Sequence, residues 1–131
     1  MKFKLPEKIQ GPQVWYGQEI KSSNEWIYTL TNQEIKEIES ALKLVKNTDV
    51  AAIKRNNFPL ASLESKLRKI SDDVMEGRGF ALIRGLPVEH WSIEESAKVY
   101  FGIGSYFGNA RSQNASGHVL GHVRDLGRDA I

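Results

Sequence analysis

Gly79-Phe80-Ala81-Leu82-Ile83-Arg84-Gly85-Leu86-Pro87 is the stretch on which the fold turns. Its apolar residues run almost unbroken between glycines, which is the pattern of a short strand buried on both faces. Leu86-Pro87 then turns the chain out of that strand. The segments on either side read as helices, so the strand is expected inside a mixed α+β layer.

Upstream, Thr31-Asn32-Gln33-Glu34 has the form of a capping box, in which the Thr31 hydroxyl accepts from the Glu34 amide and the Glu34 side chain reaches back. Ile35, Ile38, Leu42 and Val45 follow at spacings of three, four and three, an apolar stripe on a helix running to Asn47, with Lys36, Glu37, Lys43 and Lys46 opposite. Residues 47–59 are polar and irregular, and Pro59 biases Phe58 away from helix, so they are expected to be a connector. A second helix is expected from about Leu60 to Glu76, with Leu63, Leu67, Ile70 and Val74 inward, Lys66, Arg68, Lys69 and Asp73 outward, and Gly77 at its end.

Downstream, Ser92-Ile93-Glu94-Glu95 repeats the capping box and launches a third helix carrying Ile93, Ala97, Tyr100, Phe101 and Phe107, with Gly108 as its stop. From about Ser116 to Leu126 the chain alternates imperfectly and reads as a second strand. At the other end, Trp15, Tyr16, Trp26, Ile27 and Tyr28 form two aromatic segments around a polar turn at Ser22-Ser23-Asn24. Aromatic residues beside lysine can stack on single-stranded nucleic acid. With Glu19 and Glu25 interleaved, packing against the domain is the expected use of these rings.

Composition narrows the function classes. The 131 residues amount to one domain, and 40% hydrophobic with 26% charged residues is the balance of a globular chain. Eighteen basic and sixteen acidic residues, a net charge of +2, lie scattered without a run of one sign, which gives no support to nucleic-acid or membrane binding. The absence of cysteine removes disulfides, thiolate metal sites and a thiol nucleophile. The charged start, Met1-Lys2-Phe3-Lys4-Leu5-Pro6-Glu7-Lys8, is unlike a signal peptide, and no apolar run is long enough to span a bilayer, so a cytoplasmic address is expected.

Several constellations look chemical and fail on spacing. Gly102, Gly104 and Gly108 miss the dinucleotide-binding pattern by one residue and lie at the wrong end of a helix, so small residues admitting close packing are the better reading. His118 and His122 would share a face on a strand, with alpha carbons about 13 Å apart, too far for one metal. His122 and Asp125 are three apart, so on a strand they face opposite ways and do not form two legs of a facial triad. His90, between Glu89 and Trp91, reads as a surface residue near a helix start, and the adjacent acids Asp72-Asp73 and Glu94-Glu95 as solvated helix faces.

Taken in order, Gly11-Pro12, Trp15, Glu25-Trp26-Ile27, Leu30-Thr31, the Gly79 to Pro87 stretch, Gln113-Asn114 and Gly117-His118-Val119-Leu120-Gly121-His122-Val123 resemble the opening part of a TauD/TfdA-like Fe(II)/2-oxoglutarate-dependent dioxygenase. The resemblance implies an α+β fold made of the N-terminal helices and first strands of a clavaminate synthase-like double-stranded beta-helix, or jelly roll, with the barrel incomplete. Residues 1–131 would then be the N-terminal portion of a single domain whose catalytic C-terminal part is absent.

Such enzymes couple decarboxylation of 2-oxoglutarate to oxidation, usually hydroxylation, of a small organic substrate. Their iron is held by two histidines and one carboxylate, and an arginine pairs with the far carboxylate of 2-oxoglutarate. In the family these residues lie downstream of the segment matched here, so the resemblance transfers no catalytic or metal-ligating residue, and neither iron nor 2-oxoglutarate is expected to bind this chain alone. It places Gln113 and Asn114 near the substrate side of the cleft. Arg84, at a strand end before a turn, is expected in a structural salt bridge. A missing C-terminal half is the implied partner. The alternative is a non-catalytic remnant or interaction module built from the same layer.

Overall fold

A computed structural model of the chain describes residues 10–108. Four helices, α1 (Gly17–Ser22), α2 (Asn32–Leu44), α3 (Leu63–Met75) and α4 (Ile93–Gly104), accompany two short strands, β1 (Ile27–Thr29) and β2 (Leu82–Arg84). The strands pair in parallel, with Ile27 opposite Leu82, Tyr28 opposite Ile83 and Thr29 opposite Arg84. Parallel neighbours require a long crossover, and α2 and α3 lie on that connection. The strand expected from Ser116 to Leu126 lies outside the described residues.

Helix α2 starts as its sequence dictates. Thr31 accepts from the Glu34 amide at 3.2 Å, and the Glu34 carboxylate accepts from the Thr31 amide at 2.8 Å. Ile38, Ala41 and Leu42 are buried along its inner face and Val45 caps its end, so the expected stripe forms, with Ile35 half-buried at its margin. Helix α3 buries Leu63, Leu67 and Ile70, but it begins three residues later than expected, after a turn at residues 61–62. At its end the Gly77 amide donates to the Asp73 carbonyl.

The connector holds part of the core. Ile53, Phe58 and Leu60 are all buried to within 1% of full burial, and Phe58 is the largest fully buried side chain. Its ring lies against Gly102 of α4: a methyl group built there would come within 2.5 Å of the ring. Close packing is therefore the role of Gly102, whereas Gly104 faces open space.

That contact sets the phase of α4. Its inward residues are Lys98, Val99, Gly102 and Ile103, while Ile93 and Tyr100 are 72% and 68% exposed. The helix also stops at Gly104, so Phe107 lies beyond it and stays exposed. The inner face includes a glycine and a lysine, neither of which reads as core in a hydropathy pattern.

Strand β2 departs from the expected double burial. Ile83 packs on the core, whereas Leu82 is 39% exposed and Arg84 points outward. Among the described residues, only one face of this two-stranded sheet is covered by the core. Gly79 and Gly85 bound it with φ of 92° and 107°, a region that favours glycine, which accounts for the two glycines around the apolar run. The aromatic N-terminal segment is also only partly buried: Trp26 and Trp15 both meet Phe80, with ring centroids 5.9 Å and 5.1 Å apart, but Trp15 and Tyr16 remain exposed.

Candidate functional site

Most polar side chains drawn inward hold helices together. Glu34 is buried, and Lys66 of α3 reaches it at 2.7 Å while also donating to the Thr29 carbonyl of β1 at 3.3 Å. Burial pushes the Glu34 carboxyl up, but Lys66 and the hydrogen bonds with Thr31 outweigh it and hold it below its ordinary value. Lys66 was expected on an outer face; the buried acid one helix away turns it inward.

Glu37 does the same work for α3. Its carboxylate accepts from the Ser62 amide at 2.8 Å, the Leu63 amide at 3.3 Å and the Ser62 hydroxyl, so the start of α3 is capped by a side chain of α2. Burial raises this carboxyl too, and the Ser62 and Leu63 donors prevail and lower it. At the far end of α2, the buried Lys98 ammonium donates to the Val45 and Lys46 carbonyls at 3.0 and 2.9 Å. A cation there satisfies carbonyls that have no partner within the helix and complements its dipole.

Two tyrosines make further ties. Tyr28 donates to Asp73, so Asp73 is not the solvated acid its position suggested; burial first, then this hydrogen bond, raises the phenol above its ordinary value. Tyr106 donates to the Phe58 carbonyl at 2.7 Å and accepts from the Leu60 amide at 3.0 Å, which fixes the connector against the end of α4.

An open cleft of about 430 Å³ lies between these parts, lined by Arg55, Asn56, Pro59, Leu60, Ala61, Glu64 and Tyr106. The Arg55 guanidinium sits 5.0 Å from the centre of the Tyr106 ring and pairs with Glu64. Its charge is thus neutralised within the cleft, and the Tyr106 hydroxyl is already committed to backbone. Nothing in the sequence singled out this cleft, because Arg55 and Tyr106 are 51 residues apart (106 minus 55) and neither lies in a motif.

The residues weighed from sequence are dispersed. Gln113, Asn114, His118, His122 and Asp125 lie outside the described residues. His90 is exposed, 3.7 Å from Glu89. Arg84 is also exposed and makes no ion pair among the described residues, so the expected salt bridge is not seen there; its carbonyl instead accepts from the Leu30 amide at 2.9 Å. Among the described residues no three His, Cys, Asp or Glu side chains converge to hold a metal, and no helix is long and apolar enough to cross a membrane.

The chain is 31% identical over 125 residues to the taurine hydroxylase-like protein SAT17 of Stachybotrys chartarum, a match covering 93% of this chain and 32% of that protein. It is 25% identical over 129 residues to FR-33289 synthase of Streptomyces rubellomurinus, covering 97% of this chain and 38% of that one. The chain spans about a third of the length of the curated relatives it matches. No family model matches it.

Proposed function

From the premise that its relatives make this a TauD/TfdA-like sequence, we propose that the chain is the N-terminal part of an Fe(II)/2-oxoglutarate-dependent oxygenase that hydroxylates a small organic substrate. The observation carrying this reading is a match that runs along nearly the whole chain, through the helices as well as the β2 stretch, to a protein named for hydroxylation. Iron and 2-oxoglutarate, which in the family supply the oxidising chemistry, would be held by residues of the complete enzyme outside this match. The described residues would contribute the helical layer and the first strands from which a jelly roll is built.

Within that reading, we propose Gln113 and Asn114 as polar residues near the substrate side of the cleft. In a complete homologous enzyme, changing the glutamine that aligns with Gln113 to alanine should raise KM or lower kcat; unchanged values for both would remove Gln113 from the site. The reading as a whole is tested by a chimera in which this chain replaces the segment it matches in the taurine hydroxylase-like relative. A folded chimera that forms succinate from 2-oxoglutarate supports it. A chimera with native circular dichroism and cooperative unfolding but no turnover contradicts it.

A further inference from the structure

Helix α4 has two apolar faces, and only one is covered by the described residues. The inner face, with Lys98, Val99, Gly102 and Ile103, packs inward. On the opposite side Ile93, Ala97, Tyr100 and Gly104 recur at spacings of four, three and four, and Phe107 follows three residues later. The Phe107 amide donates to the Gly104 carbonyl at 2.9 Å, so the turn carries the helical path past the end of α4. Alternating steps of four and three hold residues on one side of a helix, the spacing of a seam that receives a second element. Single exposed apolar residues are ordinary, whereas a contiguous stripe marks an interaction surface. Ile93, Tyr100 and Phe107 are all exposed along this one. Gly104 is an independent sign. Its φ is not positive and a methyl group built on it meets nothing within 4 Å, so nothing among the described residues calls for glycine there. Glycine is less favourable than alanine in a helix by about 1 kcal/mol, and close approach of a neighbour is a use that offsets this.

We propose that the outer face of α4, from Ile93 to Phe107, is a packing surface whose occupant is an apolar element of the same polypeptide in the complete enzyme, which presupposes the oxygenase reading. That element comes from the part of the enzyme outside the matched segment, and seats a bulky aliphatic side chain over Ala97 and Gly104. Two observations select this occupant. The match covers 32% and 38% of the two relatives, so most of each lies outside it and accompanies this segment. The face is also small. The 12 residues of α4 extend about 18 Å and, at a helix width of about 10 Å, present on the order of 200 Å². Separate molecules that associate stably bury about 800 Å² on each partner. A second copy of the chain is therefore held too weakly by this face alone, whereas a tethered element is spared most of the entropy cost of association.

Thiol labelling tests it. The chain has no cysteine, so Ile93→Cys and Tyr100→Cys each place a single thiol on the stripe. Each is made in the chain and in the chimera with the taurine hydroxylase-like relative. The rate of maleimide labelling in the native protein is compared with that in urea, read by mass spectrometry on the peptide that carries the thiol. In the chain the native rate is expected to lie within about threefold of the unfolded rate at any concentration. In the chimera it is expected to fall by at least about thirtyfold at both positions, because a covered thiol reacts only when the structure opens. A folded chimera that labels as fast as the chain overturns the proposal, and succinate formation by the unaltered chimera then shows that the oxygenase reading survives it. Slow labelling in the chain itself also overturns it: protection that fades on dilution makes the occupant a second copy, and protection that persists makes it a segment of this chain. Should the chimera not fold, cysteine at the aligned residues of the relative itself gives the same two outcomes.

Discussion

At the scale of single residues, stability rests on a few polar groups whose partners sit on other elements. Glu34 and Glu37 both have carboxyls held below the ordinary value in the folded chain. A lowered folded pKa means that the carboxylate form favours the folded state. Their contribution is therefore full above the unfolded glutamate pKa of about 4.3 and lost as pH falls from there through the lowered folded values. Urea unfolding measured between pH 7 and pH 3 should show stability dropping in that acid window, and Glu37→Gln should shrink the drop. A variant with the same acid loss as the unaltered chain would show that Glu37 is not one of its sources. The buried Lys98 makes a second prediction. Lys98→Met removes the donor to the Lys46 carbonyl and leaves the Val45 carbonyl with the Thr48 amide alone, and should cost about 1–3 kcal/mol, whereas Lys69→Met, on an exposed face, should change stability by less than about 0.5 kcal/mol.

At the scale of elements, the decisive contact is Phe58 on Gly102. Gly102→Ala adds a methyl group where the ring already lies, and overpacking of this kind costs about 1–3 kcal/mol. Because Gly102 is in a helix interior, where alanine is intrinsically favoured by about 1 kcal/mol, a net stabilisation in urea unfolding would mean the ring is not seated there. Phe58→Ala should cost roughly 3–5 kcal/mol. These elements also show what a sequence can and cannot reveal. Helices α2 and α3 and both capping boxes were legible because periodicity and caps are local signals. The phase of α4 was not, since its inner face is made by a glycine that receives a ring 44 residues away (102 minus 58) and by a lysine that caps another helix. Lys66, Glu37 and Asp73 read as solvent-facing for the same reason: their partners, Glu34, Ser62 and Tyr28, are distant in the chain. The apolar run at β2 identified a strand but not its half-exposure, which depends on how many layers cover the sheet.

At the scale of the whole molecule, the described residues form a helical layer around a short parallel sheet. The cleft at Arg55 and Tyr106 is internally neutralised, and the acids and the lone described histidine do not converge. The candidate site was the least legible part of the sequence. Gln113 and Asn114 owe their selection to family resemblance rather than to spacing, and the histidines further along were not expected as ligands because of their spacing. The central claim is that this chain contributes scaffold to an oxygenase whose iron and 2-oxoglutarate are held elsewhere in the complete enzyme. The most direct measurement is succinate formation from 2-oxoglutarate by the purified chain, with iron(II) supplied and a metal-free control beside it. The account predicts no succinate above that control. Succinate that depends on added iron and disappears with a chelator would contradict it.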